Sequence, residues 1–371
     1  MGLNGRQIRI VGGGVAGLAA ARALARRGAT VSLMEQAPEI AEVGAGIQIS
    51  PNGLRVIEAL GLGEALRNAS LTANAVTLRD GKSGHAVLRL DLAKLPVGYK
   101  LIHRARLIKI LEAGAREAGA EITLGASGAP GGPGDAVLEI GADGWRSAYR
   151  TALNGREIPF FTGQVAWRAL IPDEAPPEVE VFMGPGRHLV SYPLPDGLRN
   201  IVAVEERSAW AEEGWTHEDD PAALRAAFSG FGGPVGEWLA RVEQVHLWGL
   251  FRHPVAARWQ NGEMAILGDA AHPTLPLLAQ GANLALEDAY VLAACLDAVP
   301  QAAALARYQA LRRDRSVRVV DAATANARNY HLRPPLSHAA HAALRLAGRV
   351  APRAALARFD WLHGYDATQQ A

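Results

Sequence analysis

The spacing of apolar residues along this chain moves between the helical period and the two-residue period of strands, and each shift predicts an element. A β-rich run, Ile8 to Val11, passes through Gly12-x-Gly14-x-x-Gly17 into a helix. Leu18, Ala21, Leu24 and Ala25 recur there at helical spacing until Gly28 stops it. Thr30 to Met34 reads as a second strand closed by Glu35. Pro51 precedes a helical run from Leu54 to Leu60, residues 74 to 90 alternate as a hairpin about Asp80-Gly81, and Arg104, Leu107, Ile110 and Leu111 mark a further helix.

From Glu157 to Ala257 the pattern turns to strands, with runs Gln164 to Ile171, Glu178 to Met183, His188 to Leu194 and Asn200 to Glu205 between Pro/Gly/Asp turns. The apolar run Met264 to Leu267 then ends in Gly268-Asp269, and after a Pro-containing turn Gln280-Gly281 opens a helix running past Cys295. Residues 302 to 329 predict a long Arg-rich helix, and 336 to 347 and 351 to 363 two shorter ones. The fold class is α/β: a Rossmann-like nucleotide-binding domain with an inserted, mostly antiparallel β-sheet substrate domain and C-terminal helices. Residues 1–73, 100–156 and 262–330 form the first domain, 74–99 and 157–261 the second, and 331–371 the C-terminal helices.

Composition changes this picture little. A chain of 371 residues with 49% hydrophobic and 20% charged positions is ordinary for a globular protein of two domains. A formal charge of +1 gives no basic footprint for nucleic acid, and no uncharged apolar run suits a membrane span. The first strand begins too early for a signal segment ahead of it, so a cytoplasmic location is expected. Cys295, the single cysteine, sits in an apolar helix as a packing residue. His338 and His341 stand at i and i+3 with no third ligand, so they read as surface residues and no metal site is expected.

The candidate chemistry lies in the turns. Gly12 suits a tight turn, Gly14 close approach of a pyrophosphate, and Gly17 close helix packing, with Val15 and Ala16 opening the helix and Glu35 placed for ribose hydroxyls. The helix start at Gly281 presents unpaired N–H groups and a positive dipole end, and Asp269 can accept bonds from hydroxyls. Together these suit a polyol carrying a flat ring that becomes anionic, which describes a flavin better than a nicotinamide. A plain strand-to-helix connection, with Asp269 as a cap, is the alternative. Gly44, Gly46 and Ile47 lie in a Gly-rich loop that can skirt the cofactor ring, and Asp143 in Gly141-Ala142-Asp143-Gly144 suits either capping or pyrophosphate binding. Strand alternation puts His188, Val190 and Tyr192 on one face, where a His and a Tyr over an apolar cavity can bind and deprotonate a phenol; a hydrogen-bonded core pair is the other reading. Gly125 to Gly134 reads as a flexible connection.

In GGGVAGLAAARAL with Glu35, HRARL with Arg104, GADGWRSAYR and GDAAHPTLPLLAQGANLALEDA, the chain resembles the single-component FAD-dependent aromatic hydroxylases over nearly its whole length. The resemblance implies FAD as cofactor, NADH or NADPH as transient co-substrate, and a flavin hydroperoxide that hydroxylates a small phenolic or hydroxybenzoate-like aromatic. It implies that Gly12, Gly14, Gly17 and Glu35 hold the ADP half, Arg104 a phosphate or ribityl group, and Asp269 the ribityl chain. Pro276 and Gly281 to Asn283 would border the ring, with Ala282 among them, and Asp143 would steady the pyrophosphate. His188, Tyr192 and Gln280 match the positions facing the substrate, and Leu277 makes that pocket more apolar than in several relatives. A flavin epoxidase or oxidase, or a non-catalytic FAD-binding redox sensor, are the rival readings. A monomer or homodimer is expected.

Overall fold

The computed structural model describes residues 2–39, 45–132, 136–208 and 217–370. Its first layer is a five-stranded parallel sheet in the order Met264–Ile266, Leu138–Gly141, Gln7–Val11, Thr30–Glu35, Glu121–Leu124. Parallel strands are covered on both faces, which explains why Ile8, Ile10, Leu33, Leu138 and Ile140 are all buried. The helix Val15–Ala25 is buried along nearly its whole length, between Arg104–Glu117 and Gly281–Ala298. Ala19, Ala20, Ala21 and Ala23 permit that, because small side chains let helices approach on several sides.

The second layer is an eight-stranded sheet running His217–Asp219, Val245–Arg252, Phe160–Pro172, Leu198–Glu206, Arg187–Leu194, Glu178–Gly184, Ala75–Asp80, Ala86–Asp91. Its pairings are antiparallel except that of Glu178–Gly184 with Ala75–Asp80, which is parallel. One face packs Trp167, Phe182 and Leu189 against Phe228 and Trp238. Those last residues belong to Pro221–Ala227 with its C-cap and to Val235–Ala240, two helices that strand-period reading overlooks because neither completes enough turns to show a helical repeat. The opposite face carries His188, Val190 and Tyr192 toward the first layer.

Between the layers a small sheet of Gly46–Ile49, Lys100–His103 and Leu71–Thr72 brings the Gly-rich loop under the roof; Gly44 lies outside the described residues. The helix Gln301–Tyr330 runs alongside Gly281–Ala298, and Leu336–Val350 packs on the edge strand Ala86–Asp91. Two expectations are corrected here. His338 is exposed, but His341 is buried with Nδ1 3.2 Å from Asp80 Oδ2, because its helix face turns toward the hairpin whose turn holds Asp80. The described part of the Gly125 to Gly134 segment, which leaves out 133 and 134, is tied down: the Gly131 N–H donates to Glu139 Oε2 at 2.9 Å, and Arg9 donates to the Gly132 carbonyl at 3.0 Å. No helix among the described residues is long and apolar enough to cross a membrane.

Candidate active site

The three glycines of the first turn differ in what surrounds them. Gly12 has φ +109°, and a Cβ there would lie 2.5 Å from the Ala142 carbonyl carbon. At Gly17 a Cβ would overlap the Gly12 carbonyl, 3.1 Å from its carbon. At Gly14, with φ −78°, no atom of the described residues beyond its two chain neighbours lies within 4 Å of that point. Two glycines thus serve packing, while the third opens onto empty space at the start of a helix, where N–H groups point outward. Glu35 closes the turn from the next strand, accepting from the Gly13 N–H at 2.6 Å and the Ala37 N–H at 2.8 Å.

The second turn meets the first. Gly268 takes φ +62°, and a Cβ there would come 2.7 Å from Ala16 Cβ, so the strand end fits directly against the fingerprint helix. Arg150 is buried beneath this turn and donates to the carbonyls of Ala270 and Ala271 at 3.2 Å each. From below, Asp288 accepts from the Gly268 N–H at 3.1 Å, bonds His272, and pairs with Arg312 at 2.7 Å. Arg312 also pairs with Glu287 at 2.6 Å, which in turn holds Arg315 at 2.7 Å. The two buried carboxylates are therefore matched by two guanidiniums, as burial of charge requires.

A cavity of about 260 Å³ lies where these turns face the roof. From the fingerprint it takes Gly14, Val15 and Ala16; from the loop and helix behind, Gly46, Ile47 and Arg104; from the second turn, Asp269, Pro276, Gly281 and Ala282. The roof contributes His188, Val190 and Tyr192. Asp269 is exposed and lines both this cavity and a smaller one beside it; the packed protein around it pushes its carboxyl pKa up, while His272 and Arg104 pull it down. A Cβ at Gly46 would lie 2.6 Å from Tyr192 Cε2, so that glycine is what lets the tyrosine ring settle. Burial pushes the Tyr192 phenol up to about 12 against the pull of Arg168, and drives the His188 imidazole well below its usual range. Both are neutral at neutral pH.

Some expected residues have their polar groups engaged by the protein itself. The Gln280 amide, at a cavity-lining position, is engaged at both ends: Nε2 donates to Ser50 Oγ at 3.0 Å and Oε1 accepts from Asn52 at 3.0 Å. Asn283 accepts from the Ser50 N–H at 3.0 Å and donates to the carbonyls of Gln48 and Ala279. Both brace the helix start, because the start of the helix Pro51–Ala59 lies alongside and offers partners. Asp143 accepts from the Ala148 N–H at 2.8 Å in the first turn of the helix Ala148–Asn154, while its neighbour Gly144 lines the cavity. Three lining or adjoining residues were missed: Arg168, stacked 4.9 Å over Trp248; Gln48, which accepts from Tyr99 at 2.8 Å; and His331, which meets His188. Strand alternation across Phe160–Pro172 could have found Arg168; no local signal points to His331.

The FAD binding domain family model matches residues 6–127 and 135–323. The chain is 35% identical over 391 residues to 3-amino-4-hydroxybenzoate 2-monooxygenase of Streptomyces platensis, covering 98% of this chain and 97% of that one. The chain belongs to the FAD-dependent aromatic hydroxylases. Another relative, 3-hydroxybenzoate 6-hydroxylase of Polaromonas naphthalenivorans, is 32% identical over 354 residues, 87% of this chain and 88% of its own. Among solved structures, Klebsiella pneumoniae HpxO complexed with FAD and uric acid superposes with a TM-score of 0.80 at 26% identity, over 93% of this chain and 94% of that one. As a flavoprotein monooxygenase the chain uses FAD, with NAD(P)H as reductant. The residues present fit that group: Gly14 leaves open space at a helix start, and Arg104 and Asp269, a cation and a hydrogen-bond acceptor, line the same cavity.

Proposed function

We propose that this hydroxylase acts on a small phenolic or hydroxybenzoate-like aromatic acid held beneath the strand Arg187–Leu194. One juxtaposition carries the reading: His188 and Tyr192 line the same cavity as Gly14, Asp269 and the helix start at Gly281. Arg168 in that cavity gives an anionic ring a positive neighbour, and the hydroxybenzoate relatives support the same substrate class.

When bound, FAD supplies electron transfer from NADH or NADPH and the activation of dioxygen. The remaining requirements fall to this chain. Gly14 and the N–H groups that follow it would hold the pyrophosphate, Arg104 would neutralise phosphate charge, and Asp269 would accept from ribityl hydroxyls. The dipole at the Gly281 helix start would favour a ligand carrying negative charge in this cavity. His188, held neutral by burial, has a ring nitrogen able to take the phenolic proton, which raises the electron density of the aromatic ring. Tyr192, held protonated, can donate a hydrogen bond to the same substrate. Val190, Val202, Val204, Leu275 and Leu277 line the cavity and exclude water from the reacting atoms.

The test is a panel of aromatic acids and N-heterocycles scored for stimulated NADH and NADPH oxidation, with peroxide and product mass measured together. Stimulation by phenols with product heavier by one oxygen is expected. Turnover confined to non-phenolic substrates would favour an epoxidase or oxidase, and FAD binding without stimulated oxidation a redox sensor; either overturns the proposal.

A further inference from the structure

Beyond the cavity, a line of titratable side chains runs from His188 to the protein surface. His188 Nδ1 and His331 Nε2 lie 2.7 Å apart, and His331 Nδ1 lies 3.0 Å from Glu206 Oε1. His188 is 1% exposed and His331 5%, whereas the Glu206 side chain is 42% exposed, so two hydrogen bonds span the distance from buried to solvated. The three come from distant parts of the chain: the roof strand, the residue that caps the helix Gln301–Tyr330, and the end of the strand Leu198–Glu206. One turn fixes them together. The Gly186 N–H donates to the His331 carbonyl at 3.3 Å, and the Gly186 carbonyl accepts from the Glu206 N–H at 2.8 Å.

The carboxylate sets the tautomers. Glu206 accepts, so His331 donates from Nδ1 and accepts at Nε2; His188 then donates from Nδ1 and keeps a lone pair on Nε2, on a ring that lines the cavity. Arg333 lies 3.3 Å from Glu206 Oε2 on the solvent side. Burial keeps His331 neutral, with Glu206 pulling its pKa up and Arg187 down, and the Tyr330 ring, 5.2 Å from that of His188, remains protonated.

We infer that His331 and Glu206 form a relay that carries the phenolic proton from His188 to solvent. The inference rests on the reading of His188 as the base. The phenol O–H bond breaks and His188 Nε2 takes the proton; the Nδ1 proton of His188 passes to His331 Nε2, and the Nδ1 proton of His331 passes to Glu206, which gives it to water. The reverse sequence returns a proton to the product oxygen and restores every tautomer, so charge and atoms balance. A buried base with no such exit would have to hold an uncompensated charge, which burial disfavours. His331 and Glu206 touch no substrate; they act through His188.

The test is stopped-flow mixing of FAD-loaded enzyme with a phenolic substrate in weak buffer containing a pH indicator, with turnover followed across pH. In His331→Phe an aromatic ring is kept and both nitrogens are lost, so substrate binding should persist while proton release and kcat fall at least about tenfold. Glu206→Gln, a half-exposed change that leaves the fold intact, should slow release and shift the pH profile without moving KM. Unchanged release and pH profile in Glu206→Gln, or in His331→Phe, overturns the relay. His188→Gln separates the two levels: if it turns over normally the base reading itself fails, and if it is slow while His331→Phe is normal only the relay does.

Discussion

Alanine placed in turn at Gly12, Gly14 and Gly17 should give two opposite kinds of defect within one six-residue motif. At Gly12 the new Cβ would sit 2.5 Å from the Ala142 carbonyl carbon in a backbone with φ +109°, and at Gly17 it would overlap the Gly12 carbonyl. Neither neighbour is a flexible side chain, so the strand-to-helix junction itself must move, at about 2 to 3 kcal/mol each. Gly14 has φ −78° and no described atom beyond its two chain neighbours within 4 Å of the Cβ position, so Gly14→Ala should leave the flavin-free protein within about 0.5 kcal/mol of the parent. The methyl group would instead occupy the space through which a phosphate reaches the helix start. Losing one charge-assisted bond, about 1.5 to 3 kcal/mol, weakens FAD binding roughly 10- to 150-fold. Urea unfolding of flavin-stripped protein measures the first quantity, and FAD titration by flavin fluorescence the second. Gly14→Ala that binds FAD as tightly as the parent, or Gly12→Ala that unfolds at the parent's urea midpoint, would refute the division of labour.

Three other outcomes are expected. Arg312→Met leaves two fully buried carboxylates short of a partner, since Arg312 pairs with Asp288 at 2.7 Å and Glu287 at 2.6 Å. Denaturant unfolding should show a loss of about 3 to 5 kcal/mol, and a loss under 1 would mean that Arg315 and His272 compensate. Burial holds the imidazoles of His188, His331 and His363 below their ordinary value, that of His363 at about 4. The unfolded chain binds protons that the folded one refuses, so stability is full above pH 6.5 and falls toward pH 4; Tm that stays level over that window contradicts the assignment. Asp288, held below the usual carboxylate range by His272 and Arg312 against the upward push of burial, adds a loss at still lower pH as its carboxyl protonates. Ala279 takes φ +53° just before the helix at Gly281, a conformation costing a non-glycine residue about 1 kcal/mol, so Ala279→Gly should hold or raise Tm, and a marked fall would show that the methyl group packs usefully.

Much of the architecture was legible in the residues because it depends on short-range rules. Glycine at Gly12 and Gly17, the strand runs on either side and the alternation of His188, Val190 and Tyr192 are fixed by backbone sterics and by periods of two and 3.6 residues, which a few neighbours express. The strand end at Gly268 and the helix start at Gly281 were readable for the same reason. Tertiary structure decided what each polar side chain bonds. Gln280 and Asn283 face Ser50 and Asn52 because a second helix start is packed beside their own, and nothing near them in the chain announces it. Gly46 is required by the ring of Tyr192, His341 is claimed by Asp80, and His188 finds His331 at the far end of the longest helix. Backbone conformation is a property of adjacent residues, whereas a buried hydrogen bond needs two groups brought together by packing of the whole core, so the first is written locally and the second is settled only when the chain has folded.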